Sequence, residues 1–168
     1  MQFRNDYWFL SNFYPVEIEC CNLKFRCVES AFQAYKCADP KDRLKFVNLN
    51  GADAKKLGRE IKMRDDWNDI KDYVMYRLVY QKFNRNRKLA LMLGDIESEI
   101  VEDNGWNDTY WGVCKGKGLN KLGKILMKVR KDLDLKPLKT PTSDDYNSPE
   151  WNAFNDNWQI LYGRSYFA

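Results

Sequence analysis

The sequence predicts a compact, predominantly helical α+β domain with a few short strands, followed by a linker and an aromatic-rich helical extension. Three observations predict it. Apolar residues recur at helical spacing through most of residues 52–83 and again through 119–133. Residues 7–27 instead mix aromatic and β-branched residues with Asn-Phe-Tyr-Pro and Cys-Asn turns, the pattern of short strands. No internal repeat is visible, and composition breaks once, at "KPLKTPTSDDYNSP". That break separates a body at residues 1–135 from a linker at 136–149 and an extension at 150–168. A folded chain of 168 residues buries roughly 70% of the surface its unfolded form exposes, enough for one real core.

Each element follows from its residues. After the short strands, "VESAFQAYKCA" (28–38) has few β-branched residues and stops before Pro40, as a helix does. Its Glu29, Gln33 and Lys36 fall at i, i+4 and i+7 and share one face. "ADAKKLGREI" spaces Ala54, Leu57 and Ile61 helically. "DDWNDIKDYVMYRLVYQKF" repeats Trp67, Ile70, Val74, Leu78 and Phe83 near a 3.6 period behind Asp65 as cap. "NRKLALML" gives a shorter helix, and "EIVE" (99–102) a short strand. Beyond it, Leu119, Leu122, Ile125, Leu126, Val129 and Leu133 form an apolar stripe, with Lys121, Lys124, Lys128 and Lys131 on much of the remaining surface. In the extension, Ser148 is the expected N-cap, Pro149 the first helical residue, Trp151, Phe154, Trp158 and Leu161 the stripe, and Gly163 the stop.

Composition removes whole classes of chemistry. The chain has no His, which excludes a Ser-His-Asp triad, a Cys-His dyad, histidine zinc sites and imidazole proton shuttling. Proton transfer then falls to Asp, Glu, Lys, Tyr or Cys, and neither a metal nor a cofactor is expected. Five cysteines, odd in number and without a C-x-x-C pair, predict reduced thiols in a cytoplasmic protein. The N-terminal "MQFRNDYWFLSNFYPV" carries Arg4 and Asp6 and no clean apolar run, so neither a signal peptide nor a membrane span is expected there. A net charge of +4 is a mild bias toward anionic partners, far short of a dedicated nucleic-acid stripe.

Among the motifs, "GVCKGKGLN" leads glycines into a helix, the setting in which backbone N–H groups hold phosphate. Its spacing matches neither nucleotide-binding glycine pattern, and on spacing alone a tight turn is the better reading. Asp108, between Asn107 and Thr109, suits an Asx-turn; the flanking Trp106 and Trp111 also offer apolar surroundings of the kind that either raise a carboxyl's proton affinity or hold it close to a stacked ligand. Glu29 is either a solvated helix glutamate or the head of a charge-assisted cluster with Gln33 and Lys36. Trp67 starts a hydrophobic stripe, the usual place of a core residue. Arg59, Lys62 and Arg64 in "REIKMRD" make a solvated helix end or an anion grip.

Six segments in order, "FLSNFYP", "VESAFQAYK", "RDDW", "VMYRLVYQKF", "NDTYWG" and "GKGLNKLGKILMKVR", resemble the NADAR family of YbiA-like N-glycosidases over residues 8–131. The resemblance implies a compact, mainly helical α+β fold and hydrolysis of an N-glycosidic bond to a ribose phosphate or ADP-ribose. The implied substrates are aminopyrimidine ribosyl phosphates of riboflavin synthesis, or ADP-ribosylated guanine, free or in nucleic acid. The family's glutamate corresponds to Glu29, its N-D-x-Y-W-G aspartate to Asp108, and its tryptophan after the basic-acidic stretch to Trp67. Ser30 stands where the family usually has His, and Val113 and Cys114 where it often has Gly or a small polar residue.

Cleaving a ribosyl C1′–N bond leaves positive charge on the sugar, which a carboxylate stabilises. On this basis Glu29 activates water and Asp108 holds the ribose hydroxyls or the cation, or the two exchange roles. Lys36 and Arg59 are assigned to phosphate, Trp67 and Trp111 to the base, and Asn12 and Asn120 to the ribose or the glycine loop. The alternative is a module that binds ADP-ribose or single-stranded nucleic acid without cleaving it.

Overall fold

The computed structural model describes residues 1–137. Nearly all of the predicted linker, and the extension with its Ser148 cap and Trp151 to Leu161 stripe, lie outside the described residues. In order come a 3₁₀ helix (Asn5–Leu10), β1 (Ile18–Cys20), β2 (Leu23–Phe25), α1 (Val28–Tyr35), a second 3₁₀ helix (Pro40–Phe46), α2 (Gly51–Leu57), α3 (Trp67–Asn84), α4 (Arg87–Gly94) and α5 (Lys121–Asp132). The α+β class stands as predicted. The two strands pair antiparallel, Ile18 opposite Phe25, through a turn at Cys21 and Asn22, both at positive φ.

Helix α1 is short and almost wholly buried from Val28 to Ala34. It touches the hairpin, the second 3₁₀ helix, α2 and α3, while α3 in turn packs against α4 and α5. Eight residues would be marginal as an isolated helix, so this one is held by packing and by its cap. The Ser30 backbone N–H donates to Cys27 Sγ at 3.5 Å, while Ser30 Oγ accepts from the Cys27 N–H at 3.2 Å. Ser30 is fully buried. Phe32, projecting from α1, meets Trp67 at a ring distance of 4.8 Å and Trp111 at 5.5 Å.

Several local expectations differ from what forms. Residues 5–10 are a 3₁₀ helix rather than a strand: Phe9 and Leu10 are adjacent yet both buried, whereas a strand would send them to opposite faces. "EIVE" forms no ladder strand. There the Asn120 side chain takes the strand partner's place, accepting from the Glu102 N–H at 3.1 Å and donating to the Ile100 carbonyl at 2.9 Å. Helix α2 ends at Leu57 and does not reach Ile61. Asp66, not Asp65, stands before α3, and its carboxylate is engaged by the Arg64 guanidinium instead of capping the helix. Among the described residues, no helix is long and apolar enough to cross a membrane.

Candidate active site

A cleft of about 530 Å³ opens where the segment Ser11 to Phe13 crosses the N-terminus of α1. The crossing is fixed by two bonds: the Glu29 N–H donates to the Asn12 carbonyl at 3.0 Å, and Lys82 Nζ donates to the Ser11 carbonyl at 2.8 Å. Glu29 therefore points from the first turn of α1 into the cleft while only 6% exposed. Gln33, one turn on, donates from Nε2 to Glu29 Oε1 at 2.8 Å. Burial pushes the Glu29 carboxyl up, against the opposing pull of the Gln33 bond and of Lys55 and Lys36; the Asp108 charge adds to the rise. Asn12 donates from Nδ2 to Met75 Sδ at 3.3 Å, and its buried Oδ1 has no partner among the described residues.

Asp108 enters the same cleft from the loop between α4 and α5. Its Oδ1 accepts from the backbone N–H groups of Tyr110 (3.1 Å) and Trp111 (2.9 Å), an Asx-turn as expected. Asn104 brackets the residue, donating to its carbonyl at 2.8 Å and accepting from its N–H at 3.1 Å. The loop is tied to α3 by Asp72, which accepts from Tyr110 Oη and Lys121 Nζ, both at 2.7 Å. One Asp108 oxygen thus builds the loop of a residue that lines the cleft.

Four of the eight predicted site residues, Glu29, Asp108, Asn12 and Trp111, line this cleft. The other four do not. Lys36 sits behind Gln33, donating to the Gly58 carbonyl and, at 3.4 Å, to Gln33 Oε1, so it braces the cluster from outside. Arg59 is exposed at the end of α2. Trp67 is 5% exposed in the core beneath Phe32. Asn120 spends its side chain on the backbone of residues 100 and 102.

The glycine loop also stands apart from the cleft. The leading N–H groups at the start of α5 are taken by the chain's own carbonyls: Asn120 by Gly112, Lys121 by Tyr110 and Leu122 by Trp111. They offer no phosphate cradle. Gly118, at φ +152° with no room for a Cβ against Gly112, closes the turn.

Residues outside the eight predicted for the site complete the lining. Arg4 and Lys55 are its cationic members, and Trp8 and Trp106, 46% and 55% exposed, present ring surface to it. Glu102 is the third carboxyl; burial, and then the Asp108 charge, push it up to about 7, and its buried Oε2 has no partner among the described residues. A glutamate ending a predicted strand and a lysine in a charged helix carry no local signal of this. Among the described residues, no group of three or more Cys, Asp or Glu side chains is arranged to hold a metal ion.

A family model for the NADAR domain matches residues 2–134. The chain belongs to the NADAR domain family. Within that family it is 34% identical to the N-glycosidase YbiA of Escherichia coli over 134 residues, covering 77% of this chain and 83% of that one. An N-glycosidase of Nostoc punctiforme is 32% identical over 134 residues, with coverage of 76% and 86%. A riboflavin biosynthesis protein of Vibrio vulnificus is 37% identical over 132 residues, 74% of this chain; the match spans 35% of that longer protein. The NMR structure of E. coli YbiA superposes with a TM-score of 0.71 at 31% identity, covering 80% of this chain and 82% of that chain. In this NADAR domain the Ser30 that replaces the usual His faces the helix cap, not the cleft.

Proposed function

We propose that this NADAR protein is an N-glycosidase that hydrolyses the C1′–N bond of a ribosyl phosphate or ADP-ribosyl substrate. Glycosyl hydrolysis agrees with the names of its N-glycosidase relatives. The observation that carries the reading is the meeting of Glu29 and Asp108, 79 positions apart in sequence, in one cleft beside the Trp111 ring. Glu29 is the base that takes a proton from the attacking water: Gln33 fixes its orientation, and burial gives it the raised proton affinity a base at neutral pH needs. Asp108, held by two N–H groups on one oxygen, faces the sugar and offsets the charge that develops at C1′.

Asn12 Oδ1, an unpaired acceptor, takes a ribose hydroxyl. Arg4 and Lys55 replace Lys36 and Arg59 as the groups that meet phosphate, because they are the cations on the cleft wall. Trp8, Trp106 and Trp111 supply faces for a flat base. The substrates that fit are aminopyrimidine ribosyl phosphates of riboflavin synthesis and ADP-ribosylated guanine, and the unpaired state of all five cysteines accords with a cytoplasmic setting.

A product screen by mass spectrometry tests this. The protein is incubated with an aminopyrimidine ribosyl phosphate and with ADP-ribosylated guanosine; free aminopyrimidine and ribose phosphate from the first, or guanosine and ADP-ribose from the second, are expected, and turnover drops at least 100-fold in Glu29→Gln. Tight binding of both with no product after prolonged incubation identifies a reader instead.

A further inference from the structure

We propose that Glu102 is the residue that hands a proton to the departing nitrogen, a role that rests on the N-glycosidase reading above. The nitrogen of an exocyclic amine is a poor leaving group as an anion, so the reaction needs a proton donor on the base side as well as a water-activating base.

Glu102 is fixed at both ends of its backbone: its N–H donates to Asn120 Oδ1 at 3.1 Å, and its carbonyl accepts from the Val113 N–H at 2.8 Å. Its side chain lines the cleft, and its Oε2 is buried without a hydrogen-bond partner among the described residues. Gly112 leaves the space for that carboxyl, since a Cβ there would come within 3.1 Å of Oε2. The side chain meets the cleft, so a proton carried by its carboxyl is within reach of a group bound there.

The charged groups facing Glu102 favour the acid form. Asp108 raises its proton affinity, Lys55 lowers it, Glu29 raises it by less than either, and Arg4 stands on the same wall. Desolvation is the largest cause. Glu29 differs, because it accepts an amide N–H from Gln33 and is drawn toward its anion by Lys55 and Lys36. Glu29 Oε1 has an amide donor, whereas Glu102 Oε2 has none among the described residues, which separates base from acid.

The step balances with one water. As the C1′–N bond breaks, its electron pair goes to nitrogen, which takes the Glu102 proton. The water oxygen bonds C1′, and the water proton passes to the Glu29 carboxylate. Free base and sugar hemiacetal leave, and solvent returns the proton from Glu29 to Glu102.

Two ribose 5-phosphate substrates test the assignment, one with an aminopyrimidine leaving group and one with nitrophenolate, which departs without a proton. In Glu102→Gln, turnover of the aminopyrimidine substrate is expected to fall about 10²–10⁴-fold while the nitrophenyl substrate loses less than about tenfold. In the wild-type protein, an alkaline limb near pH 7 is expected with the first substrate and not with the second. Equal losses on both substrates together with a limb shared by both, or absent from both, overturn the proposal. Wild-type protein inert toward both of these and toward ADP-ribosylated guanosine overturns the N-glycosidase reading itself, so the two failures are distinguishable.

Discussion

Gly58→Ala isolates the support behind Glu29. Gly58 has φ −62° and ψ −13°, a conformation any residue adopts, so removing a glycine from the unfolded chain would on its own stabilise the protein by about 0.4–1 kcal/mol. Space reverses the sign. A Cβ at Gly58 overlaps Gln33 Oε1, and it would also lie 2.6 Å from Gln33 Cδ. Gln33 cannot stay, and its displacement removes the 2.8 Å bond to Glu29, both residues being more than nine-tenths buried. Leaving a buried polar group unsatisfied costs about 1–3 kcal/mol, more when it is charged. The net expectation is a loss of about 1–2 kcal/mol, read as a lower urea midpoint at unchanged slope. Because the Gln33 bond holds the Glu29 pKa down, its loss also moves the acid limb of activity to higher pH. The double variant Gly58→Ala, Gln33→Ala removes the overlap and should recover part of the stability but none of the activity. A Gly58→Ala protein as stable as the wild type, with an unshifted acid limb, would refute the reasoning.

The remaining predictions separate structure from chemistry. Asp108→Asn keeps the oxygen that accepts from Tyr110 and Trp111, so its melting should match the wild type while turnover falls at least about 100-fold; Asp108→Ala should in addition lose about 1–3 kcal/mol in urea unfolding. Trp67→Ala should cost about 3–5 kcal/mol, whereas Trp67→Phe should keep KM unchanged; a stable Trp67→Phe protein with a raised KM would return that ring to the substrate. Glu102 rises from 4.5 unfolded to about 7 folded, so its contribution to stability is fully present below about pH 4.5 and is lost as pH rises through about 7. Glu102→Gln should therefore gain stability relative to wild type between pH 4 and pH 8, by up to about 3 kcal/mol; urea titrations at the two pH values that show no such difference contradict the buried acid.

Periodicity and caps determined much of this protein. The helical stripes, the carboxylate-amide-lysine face of Glu29, Gln33 and Lys36, and the Asx-turn at Asp108 are all short-range patterns, and the family's motif order pointed to Glu29 and Asp108 before any coordinates. The exclusion of imidazole chemistry needed only the absence of His. What those patterns could not tell is which way each side chain faces once the elements pack. Lys36 shares a helix face with Glu29, yet it lies behind Gln33 because Gly58 lets the end of α2 approach closely enough to take its ammonium. Trp67 is conspicuous in sequence and becomes core because Phe32 covers it. Glu102 and Lys55 are unremarkable in their own segments, and converge with Glu29 and Asp108 only because Asn120 and the Ser11 to Phe13 crossing draw distant pieces of chain to one cleft. Local sequence sets the backbone hydrogen-bond pattern; which charges share a low-dielectric space is decided by long-range packing, and that decision fixes their proton affinities.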